Sequence, residues 1–261
     1  MSLDASGVVA IANPAAGRGR GGRLIPALRA AMAARGAGGV LVTTRAGEEA
    51  TMAEAAARDG ATTIIALGGD GTWSNVGHGI LAAGTYTRLA LAAAGTGNDL
   101  AFATRAPAHD LGAAVDAALH PAEMRLDVGL VDGVHFLNCA GFGFDAEVLR
   151  RTHEVRWLRG HAVYLLTAAR LLFSFPAVPA RIDLAGESGD AQDGETPLRP
   201  HLAVIVANGP RFGGGFLIAP GARVDDGMLD VVSIADARAL RRVALFSRLI
   251  GGTHERAPEV T

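Results

Sequence analysis

The sequence predicts an α/β protein in two parts: an N-terminal three-layer unit with a parallel sheet, then a β-rich, sandwich-like unit. Three observations carry this reading. Short apolar runs alternate with alanine-rich helical stretches over the first half of the chain. After about Glu123, strand-like runs follow one another with little more than turns between them. The 261 residues, 49% of them apolar and 19% charged, suffice for one large compact unit or two small ones.

Taken in order, Val8 to Ala12 reads as a strand, and Arg23 to Arg35 as a helix whose apolar Leu24, Leu28 and Met32 recur every four residues. Val40 to Thr43 is a second strand, Glu48 to Arg58 a second helix, and Thr62 to Leu67 a third strand that ends in glycines. Ser74 to Ala83 and Arg88 to Ala93 repeat the alternation. Strands separated by helices of about 10–15 residues imply a parallel sheet with crossover helices, and ligands of such sheets sit at the carboxyl ends of the strands.

Beyond Glu123, strand-like runs are expected over Met124 to Val131, Val134 to Asn138, Ala180 to Ala185, Leu202 to Ala207 and Leu229 to Ile234, interrupted by a helical stretch from His161 to Phe173. This succession suggests an antiparallel sandwich or barrel-like second unit, with Gly186 to Pro200 as a polar hairpin loop. The domain division is set at 1–123 and 124–261.

The chain contains no lysine: all 24 cations counted as Lys+Arg are arginine. This excludes a Walker A phosphate loop, the strand lysine of protein kinases and any Schiff-base lysine. A protein of this composition that handles phosphate must use backbone amides, arginine or a metal. The net charge of −2 gives no basic footprint for nucleic acid, so no nucleic-acid partner is expected. Cys139, the single cysteine, permits neither an internal disulfide nor a cysteine-cluster zinc site, and core packing is its expected role. Asp4 and the short apolar run near the N-terminus do not fit a signal peptide, and Ala162 to Phe175 is shorter than the ~20 residues of a membrane span. A cytoplasmic location, with peripheral membrane contact, is expected.

Three glycine-rich strings follow predicted strands. Asn13-Pro14-Ala15-Ala16-Gly17 comes after the first, with Arg18 and Arg20 beyond it; small residues let amides approach an anion, although a tight strand-to-helix turn explains the same string. Gly68-Gly69-Asp70-Gly71-Thr72 comes after the third. There the glycines admit phosphate close to the main chain, Thr72 can cap a helix and bond a phosphate oxygen, and Asp70 can hold a metal-bound water or orient a transferred group. Gly95-Thr96-Gly97-Asn98-Asp99 follows the next strand, where Asn98 or Asp99 also suits an ordinary helix N-cap.

These strings, with Asp225-Asp226-Gly227-Met228-Leu229-Asp230 later in the chain, resemble the diacylglycerol kinase catalytic-domain family, especially its soluble bacterial lipid kinases, in order and spacing from about residue 8 to residue 257. The resemblance implies a nucleotide-binding α/β domain and a β-rich lipid-acceptor domain, using ATP and Mg2+ to phosphorylate a lipid hydroxyl at a membrane surface. On that reading Asn13, Gly17, Gly68, Gly69, Asp70, Gly71, Thr72, Trp73 and Ser74, together with Thr44, Thr96, Asn98 and Asp99, surround the nucleotide, and Asp70 is the catalytic carboxylate. Asp226 would bind magnesium through its side chain, Arg223 and Met228 through main-chain carbonyls, hard oxygen donors that suit this ion. A β-turn at Asp226-Gly227 is compatible with the same residues.

Arg18, Arg20 and Arg211 are candidates for neutralising phosphate charge. Asn138, Gly141 and Gly143 resemble a family segment near the domain junction, and Phe142, Phe144 and the helix around Tyr164 to Phe173 are candidates for an acyl-chain pocket or for core. The family pattern carries a glutamate at the position held here by Asn75. The family also continues past a Gly252-Thr253-His254-like helix end to an Asp-Gly-Glu whose glutamate is the expected base. The chain stops at Thr261, so the second domain is expected to be truncated, and loss of a base lowers a rate by ~10²–10⁴-fold. Asp193-Gly194-Glu195 reads as a surface turn, and Asp70 is then the remaining carboxylate. A kinase of a soluble substrate, similar to NAD kinases, and a non-catalytic nucleotide or lipid binder are the alternatives. The oligomeric state, a homodimer included, is left open.

Overall fold

The computed structural model describes residues 6–152, 161–182 and 197–261. The part of the expected strand beyond Ile182, most of the loop Gly186 to Pro200 and its Asp193-Gly194-Glu195 lie outside the described residues, as does the side chain of Tyr164.

The N-terminal half runs β1 (Val8–Ala12), α1 (Ala16–Ala33), β2 (Val40–Val42), α2 (Glu48–Arg58), β3 (Thr63–Gly68), α3 (Asp70–Ala83), β4 (Arg88–Ala93), α4 (Asp99–Thr104) and α5 (Leu111–Leu119). The four strands pair in parallel in the order β2-β1-β3-β4. Because side chains alternate across a strand, β1 and β3 each feed two cores. Val8, Ala10, Ala12, Ile65 and Leu67 face Leu28 and Met32 of α1 and Ala114 and Val115 of α5. Val9, Ile11, Ile64 and Ala66 face Ala53 and Ala56 of α2 and Trp73 and Val76 of α3. Helix layer, sheet and helix layer give the three layers expected.

The order matters for function. The chain leaves β1 towards α1 on one face and leaves β3 towards α3 on the other, so a crevice opens between the carboxyl ends of these adjacent strands.

The remaining elements are β5 (Gly129–Val131), β6 (Val134–Phe136), β7 (Cys139–Gly143), α6 (Phe144–Thr152), α7 (His161–Ser174), β8 (Val178–Ala180), β9 (Arg199–Ala207), β10 (Arg211–Phe212), β11 (Phe216–Leu217), β12 (Asp230–Ala235) and α8 (Ala239–Ile250). The chain divides into two compact units, drawn differently from a cut at residue 123. The first takes 1–140, 207–215 and 219–229, and the second takes 141–206, 216–218 and 230–261. In the first, β5 and β6 form an antiparallel hairpin, and Asn208 donates its Nδ2 to the Asp127 and Leu137 carbonyls, tying 207–215 to the body of the unit.

The second unit is β-rich, with β9 between β12 and β7 and β8 antiparallel to the start of β9. Residues 259–261 run along β12, with reciprocal amide bonds between Ser233 and Thr261. Helix α6 was not foreseen, nor was α5 in the first unit; of α4 only the cap at Asn98 or Asp99 was indicated, and of α8 only the end near Gly252-Thr253-His254. Met124 to Val131 is a strand only from Gly129 onward, because Asp127 is pinned instead by its amide to the Val224 carbonyl. Cys139 is half-buried rather than core. No helix among the described residues is long and apolar enough to cross a membrane.

Candidate functional site

At the β1/β3 crevice lies a cavity of about 300 Å³ lined by Asn13, Ala16, Gly17, Ala46, Gly47, Glu49, Gly69, Asp70, Gly71, Thr72, Asn75 and Gly95, all in the first unit. Of the residues singled out from sequence, Asn13, Gly17, Gly69, Asp70, Gly71 and Thr72 meet here.

Each arrives by a local necessity. The first turn of α1 is irregular: Gly17, Arg18 and Gly19 all have positive φ, so the regular helix begins later than Ala16. A side chain on Gly17 would collide with the Ala94 carbonyl at the end of β4, so only glycine lets the first turn lie against that strand. Gly69 and Gly95 also face each other closely, and a Cβ on Gly69 would lie 2.9 Å from the Gly95 Cα. At Gly71, by contrast, a Cβ would meet nothing within 4 Å, because that position opens to the cavity. Helix α3 starts at Asp70 with no side-chain cap, so its first amides and the positive end of its dipole face this space. An open glycine wall beside uncapped amides suits the phosphates of a nucleotide.

Asn13 bridges the crevice. Its Nδ2 donates to Glu49 Oε1 at 2.8 Å and to Thr72 Oγ1 at 3.1 Å, while its Oδ1 accepts the Ala15 amide at 2.9 Å. Glu49 Oε2 accepts from Asn75 Nδ2 at 3.3 Å. Glu49 is 2% exposed, a carboxylate set beneath the site from α2, and sequence reasoning missed it. A signal was present: Glu49, Ala53, Ala56 and Ala57 share one helix face, so an acid stands on an otherwise apolar stripe. Asp70 has two tasks, since its Oδ1 accepts the Leu100 amide at 3.0 Å, capping α4, while the residue also lines the cavity.

The other nominated residues stand elsewhere. Trp73 is fully buried, its indole N–H given to the Ala66 carbonyl and its amide to Gly69, so it is core rather than ligand surface. Gly68 is buried in β3, its carbonyl taken by the Ala94 and Gly95 amides, and Ser74 is half-buried outside the lining. Thr44 gives both amide and hydroxyl to Glu48 Oε2, bonds that hold the Glu48 carboxyl below the usual range. Thr96 is exposed outside the cavity.

Asn98 and Asp99 are buried braces. Asn98 donates to the Gly95 carbonyl, and Asp99 Oδ2 accepts the Gly214 amide at 2.7 Å from the run Gly213-Gly214-Gly215, another segment the sequence reading did not single out. Arg18 and Arg20 are exposed, and the Arg211 guanidinium lies 3.4 Å over the Phe102 ring rather than in the cavity.

The magnesium candidates occupy an exposed turn. Arg223 pairs with Asp225 at 3.2 Å, Asp226 Oδ1 accepts the Met228 amide at 3.1 Å, and the Gly227 amide is held by Asp127 Oδ2 at 2.7 Å. Among the described residues no three His, Cys, Asp or Glu side chains converge as a metal cluster. A set made of the Asp226 carboxylate and main-chain carbonyls needs no such cluster, and its hard oxygens fit Mg2+. In the second unit, Phe144 is buried edge-on to Phe175, as core, whereas Phe142 and Phe173 are exposed.

The chain resembles known proteins along most of its length. A family model described as the diacylglycerol kinase catalytic domain matches residues 7–131, and one described as the YegS C-terminal NAD kinase beta sandwich-like domain matches 138–261. A probable lipid kinase YegS-like of Pseudomonas aeruginosa UCBPP-PA14 is 35% identical over 231 residues, covering 86% of this chain and 72% of that protein. One from Pseudomonas fluorescens Pf-5 is 36% identical over 230 residues, covering 86% and 73%. A crystal structure of a diacylglycerol kinase from Bacillus anthracis Sterne superposes with a TM-score of 0.68 at 24% identity, over 97% of this chain and 82% of that one, a likeness of fold.

Proposed function

We propose that this chain, which belongs to the diacylglycerol kinase catalytic-domain family in its YegS-like form, is an ATP- and Mg2+-dependent lipid kinase that phosphorylates the hydroxyl of diacylglycerol or a related lipid. The observation that carries this reading is the glycine-walled cavity at the β1/β3 crevice, with the uncapped start of α3, the Thr72 hydroxyl and the Asp70 carboxylate on its wall.

Phosphoryl transfer asks chiefly for positioning and charge stabilisation. A lysine-free chain meets that demand with main-chain amides: the first turn of α3 holds the phosphates, and Gly17, Gly69 and Gly95 keep the backbone close enough to do so. ATP would supply the transferred group, and Asp226 by its side chain with Arg223 and Met228 by their main-chain carbonyls would hold Mg2+, which would supply positive charge. Asp70, anchored at Oδ1 by Leu100, offers Oδ2 to the proton of an incoming hydroxyl. A lipid acceptor requires contact with a membrane surface, and this chain would make it peripherally from the cytoplasm.

The test is ADP release by the full chain with ATP and Mg2+, with diacylglycerol in mixed micelles as acceptor and NAD side by side. Lipid-dependent release supports the reading. Release that needs NAD, or release indifferent to both, overturns it.

A further inference from the structure

Glu49 sits beneath the cavity as a carboxylate with both oxygens engaged by amide nitrogens, Asn13 on one side and Asn75 on the other. Its consequence lies in the direction of the hydrogen bonds it dictates. A carboxylate only accepts, so the group that Asn13 turns towards Oε1 must be its NH2. The Ala15 amide, which donates to Asn13 Oδ1 at 2.9 Å, agrees with this choice, but it is an exposed contact open to water and does not enforce the orientation alone. With Nδ2 so placed, its second hydrogen goes to Thr72 Oγ1 at 3.1 Å. The Thr72 oxygen is therefore an acceptor on its inner side, which leaves its own hydrogen free of Asn13, and Thr72 lines the cavity.

We propose that Glu49 is a positioning residue that, through Asn13, sets the Thr72 hydroxyl as a donor towards the cavity and so tunes the site to an acceptor-only ligand group, the phosphate of the nucleotide. This rests on the kinase reading above. The relay joins three elements that meet only in the folded chain: α2 gives the carboxylate, the end of β1 the amide and α3 the hydroxyl. A hydroxyl held ready as donor is worth more to an anion than one that must first turn away from another partner. The carboxylate's charge is not itself the requirement; an acceptor facing Asn13 is. Glutamine at 49 meets that condition by giving its oxygen to Asn13 and its NH2 to Asn75, which turns its own oxygen inward.

The test is a double-mutant cycle on ATP affinity, read by titration calorimetry on the full chain, with Glu49→Ala, Thr72→Val and the double variant; Glu49→Gln is the conservative control. Each single substitution is expected to weaken ATP about ten-fold, the worth of a hydrogen bond to a charged group. The double variant is expected to be no weaker than the weaker single, and Glu49→Gln to stay near wild type. Additive losses in the double variant, or a Glu49→Gln as weak as Glu49→Ala, overturn the relay. Should Glu49→Ala not fold, Glu49→Met fills the same space without accepting and takes its place in the cycle. A wild type that binds no ATP overturns the kinase reading and the relay with it, whereas tight ATP binding with additive losses overturns the relay alone.

Discussion

Asp70 accepts the Leu100 amide through Oδ1 at 3.0 Å, so the carboxylate nominated for chemistry is also the cap of a short helix after the neighbouring strand. The two roles separate by substitution. Asp70→Asn keeps an oxygen for Leu100 and removes the charge, so ADP release is expected to fall by ~10²-fold or more with the melting temperature nearly unchanged. Asp70→Ala removes the cap as well, at a further ~1 kcal/mol of stability. Activity assays beside thermal melts check both, and full turnover by Asp70→Asn removes the residue from the mechanism.

Gly17 and Gly71 both line the cavity but for opposite reasons. Gly17 has a φ of 56° and lies against the Ala94 carbonyl, so Gly17→Ala strains the backbone and pushes the first turn of α1 off β4. A loss of ~1–3 kcal/mol in urea unfolding is expected. At Gly71 a methyl group meets open space, so Gly71→Ala is expected to keep the stability and weaken ATP, because the methyl occupies the ligand's place. Equal effects of the two substitutions on stability would contradict this division.

Asp145 lies in the first turn of α6 in the second unit, and burial pushes its carboxyl above the usual aspartate range, against the opposing pull of the Ala146 amide and its own. With the folded value above the unfolded one, the fold favours the protonated acid. Stability from this group is complete below the ordinary carboxylate range and is lost as pH rises through the raised value. Asp145→Asn cannot ionise, so the melting temperature of the variant relative to wild type is expected to be more favourable at about pH 8 than at about pH 5. A difference independent of pH, or of reversed sign, would show that the carboxyl is not penalised in the fold.

How far the sequence reaches depends on where the cause of each feature lies. The bounds of β1, α2 and β4 were legible because an unbroken apolar run or a helical spacing is written in consecutive residues. Of the helix α4 only a cap at Asn98 or Asp99 could be read, since what holds its start is Asp70 and Gly214, which lie 30 and 115 residues away from their partners. Trp73 was assigned to the ligand because it sits inside a glycine-rich string. The spacing of Trp73, Val76, Gly77 and Ile80 on the buried face of α3 was the better guide. Glu49 escaped because a second acid in the first turn of a helix looks like dipole compensation, and only the fold brings Asn13 above it.

Arg242 shows how the second unit is held. Its guanidinium is buried between α7 and α8, where Nη1 donates to the Leu172 and Phe175 carbonyls, Nε to Ala237 and Nη2 to Asp236 Oδ1. The carbonyls at the end of α7 have no further turn of helix to accept from, so this one side chain satisfies them and fastens α7 to the turn before α8. Arg242→Met keeps most of the stem's packing but leaves three carbonyls and the Asp236 carboxylate without the donor, at an expected cost of about 3 kcal/mol in urea unfolding. Lysine reaches the same space with a single nitrogen that cannot serve acceptors on two sides, so Arg242→Lys is expected to recover only part of that loss. A Met variant as stable as wild type would show that water replaces the guanidinium and that the helix pair is held by apolar packing alone.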